Sequence, residues 1–565
     1  MSSFNDEKSN KQLDELYKEE EEELVQVLAE SKYGLPYINL SSIGIDNESL
    51  RAISQEDARK LNIGPFKLSG KNLFIALRTP SPDLIKNLTE EMHNKNYVPT
   101  FYMASTASLN KIWNRYDEIS MAENSRIGGI DISGEVLMET AGKIQKMQDV
   151  EVLITDVMKE GQLHKISKIL EIILAGAISI KASDIHIEAE EDRCRLRFRL
   201  DGVLQDVMFF KMDIYHLLNS RLKLLSGMKL TNKTAQDGRF AIMIGEEEIS
   251  IRNSMIPGSY GESIVMRILD PKSIQVNLED MGIEPYLFTI IMEEIAKPNG
   301  MILVTGPTGS GKTTTLYAFL RKIYSSEIKI ITIEDPVEYH LTGITQTQTD
   351  SEKGYTFLEG LRSALRQDPD VVMVGEIRDA ETAKIAVESA LTGHLVFSTL
   401  HTNNAAGVIP RLIDLEVNPK ILVSALSLSI AQRLVRKLCQ ICKKENAPTE
   451  EEAKSIKTIL DGAVTEGKDL TKYKIDINAP IKLFKAVGCE KCNMTGYKGR
   501  MGIFEAIRTD ESIEKIMPAN PSEREIKKVA ALQGILSMRQ DGVIKILNGI
   551  TSIDEVRSVV DLLEE

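Results

Sequence analysis

What the 565-residue sequence lacks narrows its setting before any motif is considered. No apolar run approaches the roughly 18 consecutive residues of a membrane-spanning helix, and the mostly apolar Ile172–Ile180 is far shorter. A basic excess is missing too. The formal net charge is −14, which argues against a general nucleic-acid surface and leaves open only a local basic groove. Stripes of alternating aromatic and basic residues are absent. Cysteine is scarce, at five residues, and four of them fall in two CxxC pairs. That usage fits a reducing compartment and metal binding better than disulfides. Met1–Lys11 is polar, without the apolar core of a signal peptide. A cytoplasmic protein is expected, reaching any membrane through partners. What remains is ordinary for a soluble chain, 42% apolar and 27% charged. At roughly 100–200 residues per domain, three or four domains are expected.

The most informative stretch is Met301–Thr315. An apolar, strand-like run, Met301–Val304, leads into Gly306, Pro307, Thr308, Gly309, Ser310, Gly311, Lys312 and Thr313, and a helix-compatible run follows from Thr314 to Ile323. Every fixed position of G-x-x-x-x-G-K-[ST] is filled. Glycines let backbone N–H groups curl round an anion, and the helix begins there with its positive dipole end. Lys312 would reach the β- and γ-phosphates and the Thr313 hydroxyl would ligate Mg²⁺. Nucleotide binding follows from the loop; hydrolysis needs further residues.

Upstream, residues 1–30 carry five consecutive glutamates, Glu19–Glu23, read as a flexible acidic tail. A small α/β domain is expected over 31–117, with a strand at Asn72–Leu77 and helices near Asp83–Asn94 and Ser105–Tyr116; it shows no catalytic set, and docking is its expected task. Residues 118–160, with Gly128-Gly129, read as a linker holding one or two helical patches. A second N-terminal domain is expected over 161–280. It opens with a helix at Leu163–Ala177, whose apolar residues share one face. In Cys194–Leu200, Arg195, Arg197 and Arg199 alternate with Leu196, Phe198 and Leu200, which places the arginines on one strand face. Asp201-Gly202 is a hairpin-turn signal. Residue types alone favour a solvated face for the three arginines, and a packed strand position for His186.

The motor domain is expected over 281–565. After the loop helix, the strand Lys329–Ile333 delivers Glu334, and Val371–Val374 ends in Gly375-Glu376. Acids at the carboxyl ends of strands in an open α/β sheet lie where ligands bind. Glu334 reads as a water-orienting base and Glu376 as a Walker B acid. Asp379 is placed to cap a helix at Ala380–Ala390. A further strand, Leu395–Ser398, precedes His401. Beyond the core, Cys439-x-x-Cys442 and Cys489-x-x-Cys492 can present four thiolates to one tetrahedral Zn²⁺ within 436–500, leaving no open catalytic position. Ser522-x-x-Glu525 and Ser552-x-x-Glu555 are capping-box signals for a helical lobe at 510–565.

Taken together, ASDIHIE at 182–188, RFRLDGV at 197–203, QDGR at 236–239, GPTGSGKTT at 306–314, ITIEDPVE at 331–338, LRQDPDVVMVGEIRD at 365–379 and TGHLVFSTLHTN at 392–403 carry a resemblance. With the tetracysteine element, they make the chain similar to the type II secretion and type IV pilus assembly ATPases, a branch of hexameric RecA-like secretion motors. Retraction motors of that superfamily lack the cysteines. The resemblance implies an α/β architecture: a RecA-like P-loop domain preceded by a PAS-like α/β second N-terminal domain and a small α/β first one, with a zinc subdomain and a helical C-terminal lobe.

It also implies roles. Gly306–Thr314 would hold ATP, Thr313 and Glu376 Mg²⁺, and Glu334 would activate water. His394 and His401 match the His-box histidines, with His401 the γ-phosphate sensor. Arg199 and Arg221 match arginines that the second N-terminal domain swings toward the nucleotide, which revises the reading of the arginine strand. Thr231–Ala235 and Ser263 depart from the pattern at domain contacts. The paired Arg-Leu-Gly motifs with which some relatives bind cyclic di-GMP are missing, so that ligand is not expected. The reading is therefore a homo-hexameric, Mg²⁺-dependent ATP hydrolase with structural Zn²⁺. It would act on an inner-membrane platform protein, peripheral to the inner face of the plasma membrane, to assemble type IV pili. The alternatives are a type II secretion ATPase, a nucleic-acid motor of the RecA class, and a docking module that binds ATP without turnover.

Overall fold

A computed structural model describes residues 21–40, 45–50, 52–95, 97–127, 134–159, 165–230, 234–244, 247–270 and 276–562. Most of the acidic tail, the Gly128-Gly129 pair and Thr231–Lys233 lie outside the described residues. The chain divides into two compact units, 1–132 and 133–565.

In the first unit, β1 (Ile63–Ser69) pairs antiparallel with β2 (Asn72–Leu77), which pairs parallel with β3 (Val98–Met103). The β2–β3 crossover is α1 (Pro82–Asn94), capped by the Ser81 hydroxyl, which accepts from Leu84 N–H, with Pro82 in its first turn. The expected helix from Ser105 is α2 (Thr106–Ile127), which continues well past Tyr116. Its Trp113 indole N–H donates to the Ile63 carbonyl, tying the helix to β1.

The second unit begins with three helices, α3 (Gly134–Lys143), α4 (Met147–Lys159) and α5 (Lys165–Ser179). Both α3 and α4 pack on α5, and a Cβ at Gly176 would meet Val150 of α4 at 2.5 Å. Six antiparallel strands follow in the order β6-β5-β4-β9-β8-β7: β4 (Asp184–Ala189), β5 (Arg193–Leu200), β6 (Val203–Lys211), β7 (Gln236–Ile244), β8 (Glu247–Pro257) and β9 (Glu262–Leu269). Between β6 and β7 lies α6 (Met212–Leu225). Cys194, Leu196, Phe198 and Leu200 are buried, and the arginines between them face the other way. Asp201 and Gly202 both have positive φ, as the β5–β6 turn requires.

The motor sheet has seven strands ordered β12-β11-β13-β14-β10-β15-β18. They are β10 (Gly300–Thr305), β11 (Ile330–Glu334), β12 (Thr345–Gln348), β13 (Val371–Val374), β14 (Leu395–Leu400), β15 (Leu426–Leu438) and β18 (Tyr497–Arg508). All neighbours run parallel except β15 and β18. Period-two alternation divides β10 between two cores: Met301 and Leu303 join one cluster, Ile302 and Val304 the other. The loop helix is α7 (Lys312–Ile323) and the helix after β13 is α8 (Ala380–Leu391), with the Asp379 carboxylate accepting from Thr382 N–H. Two short strands, β16 (Lys444–Asn446) and β17 (Leu483–Lys485), pair beside the cysteines. The Lys/Glu-rich stretch between them folds as α9 (Glu450–Thr465). The Ser522 box forms fully. Ser552 caps Glu555 N–H, but the Glu555 carboxylate turns instead to Arg436, so the second box is half made.

Candidate functional site

Thr305, Glu334, Glu376 and His401 gather near the phosphate loop because parallel strands end at the same edge. β10 is wholly buried and stops at Thr305. Gly306 then takes φ +148, and a Cβ there would strike the Gln432 carbonyl at 2.5 Å; Gly311 caps α7 with φ +88, where a Cβ would meet Gln432 Nε2 at 2.9 Å. Only glycine fits either place. Pro307, Thr308, Gly309 and Thr313 are exposed on the outer rim, with Gly306 and Ser310 buried beneath and Thr314 half-buried. The buried Ser310 hydroxyl has no hydrogen-bond partner among the described residues, a deficit that a bound anion can satisfy. Lys312 Nζ donates to the carbonyls of Gly306 (2.9 Å) and Pro307 (3.1 Å). Burial holds its pKa below the usual lysine range, with Glu376 opposing and Arg433 adding to the shift.

Glu376 lies just past β13. Burial alone would raise its pKa, but Arg378 and His401 outweigh burial and hold the carboxylate ionised below its usual range. His401 Nε2 lies 3.2 Å from Glu376 Oε2. The His401 segment is pinned to the loop strand, since Thr402 N–H donates to Thr305 Oγ1 (2.8 Å), which in turn donates to the Leu400 carbonyl (2.9 Å). An ionised acid and an exposed Thr313 hydroxyl are a donor set that suits Mg²⁺.

Glu334 ends β11 beside Gly375, yet it is only 3% exposed. Its carboxylate accepts from the Tyr317 hydroxyl, from Thr332 Oγ1 (2.5 Å) and from Gln346 Nε2 (3.1 Å). Burial raises its pKa and the three donors pull it back in part. Glu334 thus sits at the expected edge, connected to the loop helix through Tyr317.

The structure separates the two histidines. His394 precedes β14 and His401 follows it, so the strand, about 20 Å long at 3.3 Å per residue, lies between them. The His394 carbonyl accepts from Gly300 N–H, at the end of β10 opposite the loop, and its Nδ1 faces the Ser389 carbonyl. Within the chain His394 therefore does not join the nucleotide site, contrary to the expectation. Arg199 pairs with Asp184 (3.2 Å) and donates to the Gly202 carbonyl (3.0 Å). Burial lowers the pKa of Arg221, which faces Glu171. The described partners of both arginines come from their own domain.

Sequence reasoning missed Gln432 and Arg433. They follow Ala431, the register partner of Thr305, so they reach the loop edge on the side away from β14. Gln432 Oε1 accepts from Thr315 Oγ1 (2.7 Å), bracing the first turn of α7. Arg433 donates to the Asn403 carbonyl (2.6 Å) and lies close enough to weaken protonation of Lys312. Leu426–Ala431 reads LSLSIA, an alternating rather than a wholly apolar run, and β15 continues past the pair to Leu438, so no strand end marked Gln432 and Arg433 as the ends at Glu334 and Glu376 did.

The four cysteines converge from two loops. Their sulfurs all lie within 4.8 Å of one another, with Cys439–Cys489 at 3.9 Å, Cys442–Cys492 at 3.8 Å and Cys489–Cys492 at 3.7 Å. A tetrahedron of thiolates about 2.3 Å from a zinc ion has edges of about 3.8 Å, so the set fits Zn²⁺. Burial would raise the Cys492 pKa, but N–H donors from Cys489 and Gly496 bring it down to about 7. All four are free thiols.

Residues 159–558 match the type II/IV secretion system protein family, and residues 33–123 match the MshEN domain. The chain is 36% identical to the type IV pilus assembly ATPase PilB of Myxococcus xanthus, over 95% of this chain and 91% of that one. It is 43% identical to the type II secretion system protein E of Pseudomonas aeruginosa, over 72% of this chain and 77% of that one. Among solved structures, the ATPase DotB of Yersinia pseudotuberculosis covers 70% of this chain and 93% of its own, with a TM-score of 0.50 at 20% identity, a likeness of fold alone. With its loop, acidic edge and cysteine cluster on one scaffold, the chain belongs to the type II/IV secretion system protein family.

Proposed function

We propose that the chain is an ATP hydrolase that works as a hexamer at the cytoplasmic face of the inner membrane to drive type IV pilus assembly. The observation that carries the pilus reading is extent: the pilus assembly relative aligns over 95% of the chain, including the first N-terminal domain, whereas the type II relative aligns over 72%. The second reading, a type II secretion ATPase, draws on the higher identity within that shorter alignment.

In the proposed mechanism the N–H groups of Gly306–Thr313 cradle the phosphates, and Lys312 exchanges its two carbonyl partners for β- and γ-phosphate oxygens. Thr313 and Glu376 would hold Mg²⁺, which would supply charge neutralisation to the phosphates. Glu334 orients water once its buried network opens, and His401, through Glu376, reports on the γ-phosphate. Arg433 sets the charge beside Lys312. Arg199 and Arg221 would be supplied by closure of the second N-terminal domain onto the nucleotide, and Cys439, Cys442, Cys489 and Cys492 would hold a Zn²⁺ that ties their two loops together. The platform protein that would receive the motion is an inner-membrane partner; among the described residues, no helix is long and apolar enough to cross a membrane.

Deleting the gene in its source organism should remove surface pili and leave secretion of folded enzymes intact. Loss of secretion with pili retained would assign the chain to the type II machine. Phosphate release by the purified protein unaffected by Lys312→Ala would overturn the assigned site altogether.

A further inference from the structure

After Glu334 the chain leaves β11, loops over 335–344 and returns as β12, the edge strand of the motor sheet. Thr332 and Gln346 are register partners in this parallel pair. The alternation Thr345-Gln346-Thr347-Gln348 therefore puts Gln346 on the same sheet face as Thr332 and Glu334. Gln346 uses its whole amide there. Its Nε2 donates to Glu334 Oε1 (3.1 Å) and to the Tyr339 carbonyl (3.1 Å), with the Tyr317 hydroxyl a further acceptor at 3.3 Å. Its Oε1 accepts from Leu341 N–H (2.6 Å). One side chain thus ties the carboxylate to the loop that follows it. Tyr339 and Leu341 are buried beside it, and the Tyr339 ring packs edge-on against Tyr317 at 4.7 Å. The buried Tyr339 hydroxyl has no hydrogen-bond partner among the described residues, a cost that opening to water removes.

The same loop is gripped from the second N-terminal domain. Arg252 of β8 donates to the Val337 carbonyl (2.6 Å) and lies 3.6 Å from Glu338. Those two residues immediately precede Tyr339, so a displacement of that domain pulls on the residues that Gln346 holds.

We propose that Gln346 is a positioning residue that keeps Glu334 sequestered until closure of the second N-terminal domain draws residues 337–341 away from its amide and admits water to the carboxylate. The inference rests on the reading of Glu334 as the water-orienting base. It adds that hydrolysis follows domain closure, and that ATP bound to an open subunit is kept intact.

Amide exchange of the intact chain reads the latch directly, because Leu341 N–H makes one of its bonds. That N–H is expected to be protected without nucleotide and to exchange several-fold faster with Mg²⁺ and a non-hydrolysable ATP analogue. In Arg252→Ala the protection should persist with the analogue bound. This arm needs no change at Gln346, so it stands if a variant there fails to fold. Steady-state phosphate release supplies the other arm. Gln346→Leu keeps the bulk of the side chain and loses every bond, so kcat should rise several-fold with KM for ATP near wild type. The acid limb of its kcat–pH profile should move to higher pH, since the lost amide favours ionised Glu334. Arg252→Ala, which lowers kcat in the wild-type background, should cost nothing in the Gln346→Leu background. The proposal is overturned by a Leu341 N–H that stays protected in wild type with the analogue. A kcat at or below wild type in Gln346→Leu, or an equal Arg252→Ala effect in both backgrounds, overturns it too. Full activity in Glu334→Gln would instead overturn the base role itself, a failure that the Leu341 exchange does not share.

Discussion

Glu334 accepts three hydrogen bonds inside the protein while 3% exposed, so its proton affinity is set by neighbours rather than by water. Burial raises its pKa, and a base of that kind would work only above its pKa, so on the proposed role activity should fall as pH drops through it. The Tyr317 hydroxyl favours the ionised form. Tyr317→Phe should therefore move the acid limb of the kcat–pH profile to higher pH while leaving the alkaline plateau near wild type; an unmoved limb would remove Glu334 from the base role. Lys312→Ala should lower phosphate release by at least about 100-fold, a loss of about 2.7 kcal/mol or more in transition-state stabilisation. Gln432→Ala leaves the Thr315 hydroxyl, 1% exposed, with only the weak Met281 sulfur acceptor at 3.7 Å. That should cost about 1–3 kcal/mol, read as a drop of about 2–4 °C per kcal/mol in the thermal midpoint of the motor domain. The placement of Glu334 was legible because an apolar strand ends there. Its burial was not, because Tyr317 and Gln346 lie on other elements. The two histidines of TGHLVFSTLH are seven residues apart, and only the parallel strand between them shows that they serve opposite edges.

At the scale of elements, strict alternation in Cys194–Leu200 fixed both faces of β5 in advance. What alternation could not reveal is that acids of flanking strands meet the arginines: Arg195 meets Asp206 (2.6 Å) and Arg197 meets Glu188. Exposed pairs of this kind contribute about 0–1 kcal/mol each, so they fix orientation more than stability. Helix α2 overran its expected end because nothing in residues 117–127 breaks a helix, there being no proline or glycine. Glu555 was read as a box partner and is instead claimed by Arg436, a residue 119 positions away. The cysteine element is the least self-sufficient part of the motor. Its two strands have three residues each, so the metal rather than the strand pair should hold it. Chelation of zinc is expected to raise amide exchange across 439–446 and 483–497 and to leave 300–334 unchanged. Uniform loosening of both regions would contradict a local role for the metal.

Across the second unit, polar contacts join the arginine-bearing sheet to the motor. Arg252 of β8 donates to the Val337 carbonyl (2.6 Å) and lies 3.6 Å from Glu338, and Gly499 N–H donates to Asp201 Oδ2 (2.9 Å). The first contact lands three residues beyond Glu334. Arg252→Ala should therefore lower kcat several-fold with little change in KM for ATP, as expected of a contact that positions rather than binds; a rise in KM alone would place Arg252 in binding. No pattern in the sequence links residues 252 and 337, because such pairs arise only when two separately folded layers meet.

The long strand β15 passes Gln432 and Arg433 at the phosphate edge and runs on to Leu438, one residue before the first cysteine. Paired along its length with β18, it is a stiff two-stranded beam whose near end touches the loop and whose far end carries the metal cluster. From Gln432 to Cys439 the beam spans about 23 Å at 3.3 Å per residue. A tilt of about 10° imposed at the nucleotide end would then sweep the far end through about 4 Å, which is the arithmetic of a lever arm. On that geometry the cysteine cluster would be the outboard end of any such tilt, with its fulcrum in the central sheet.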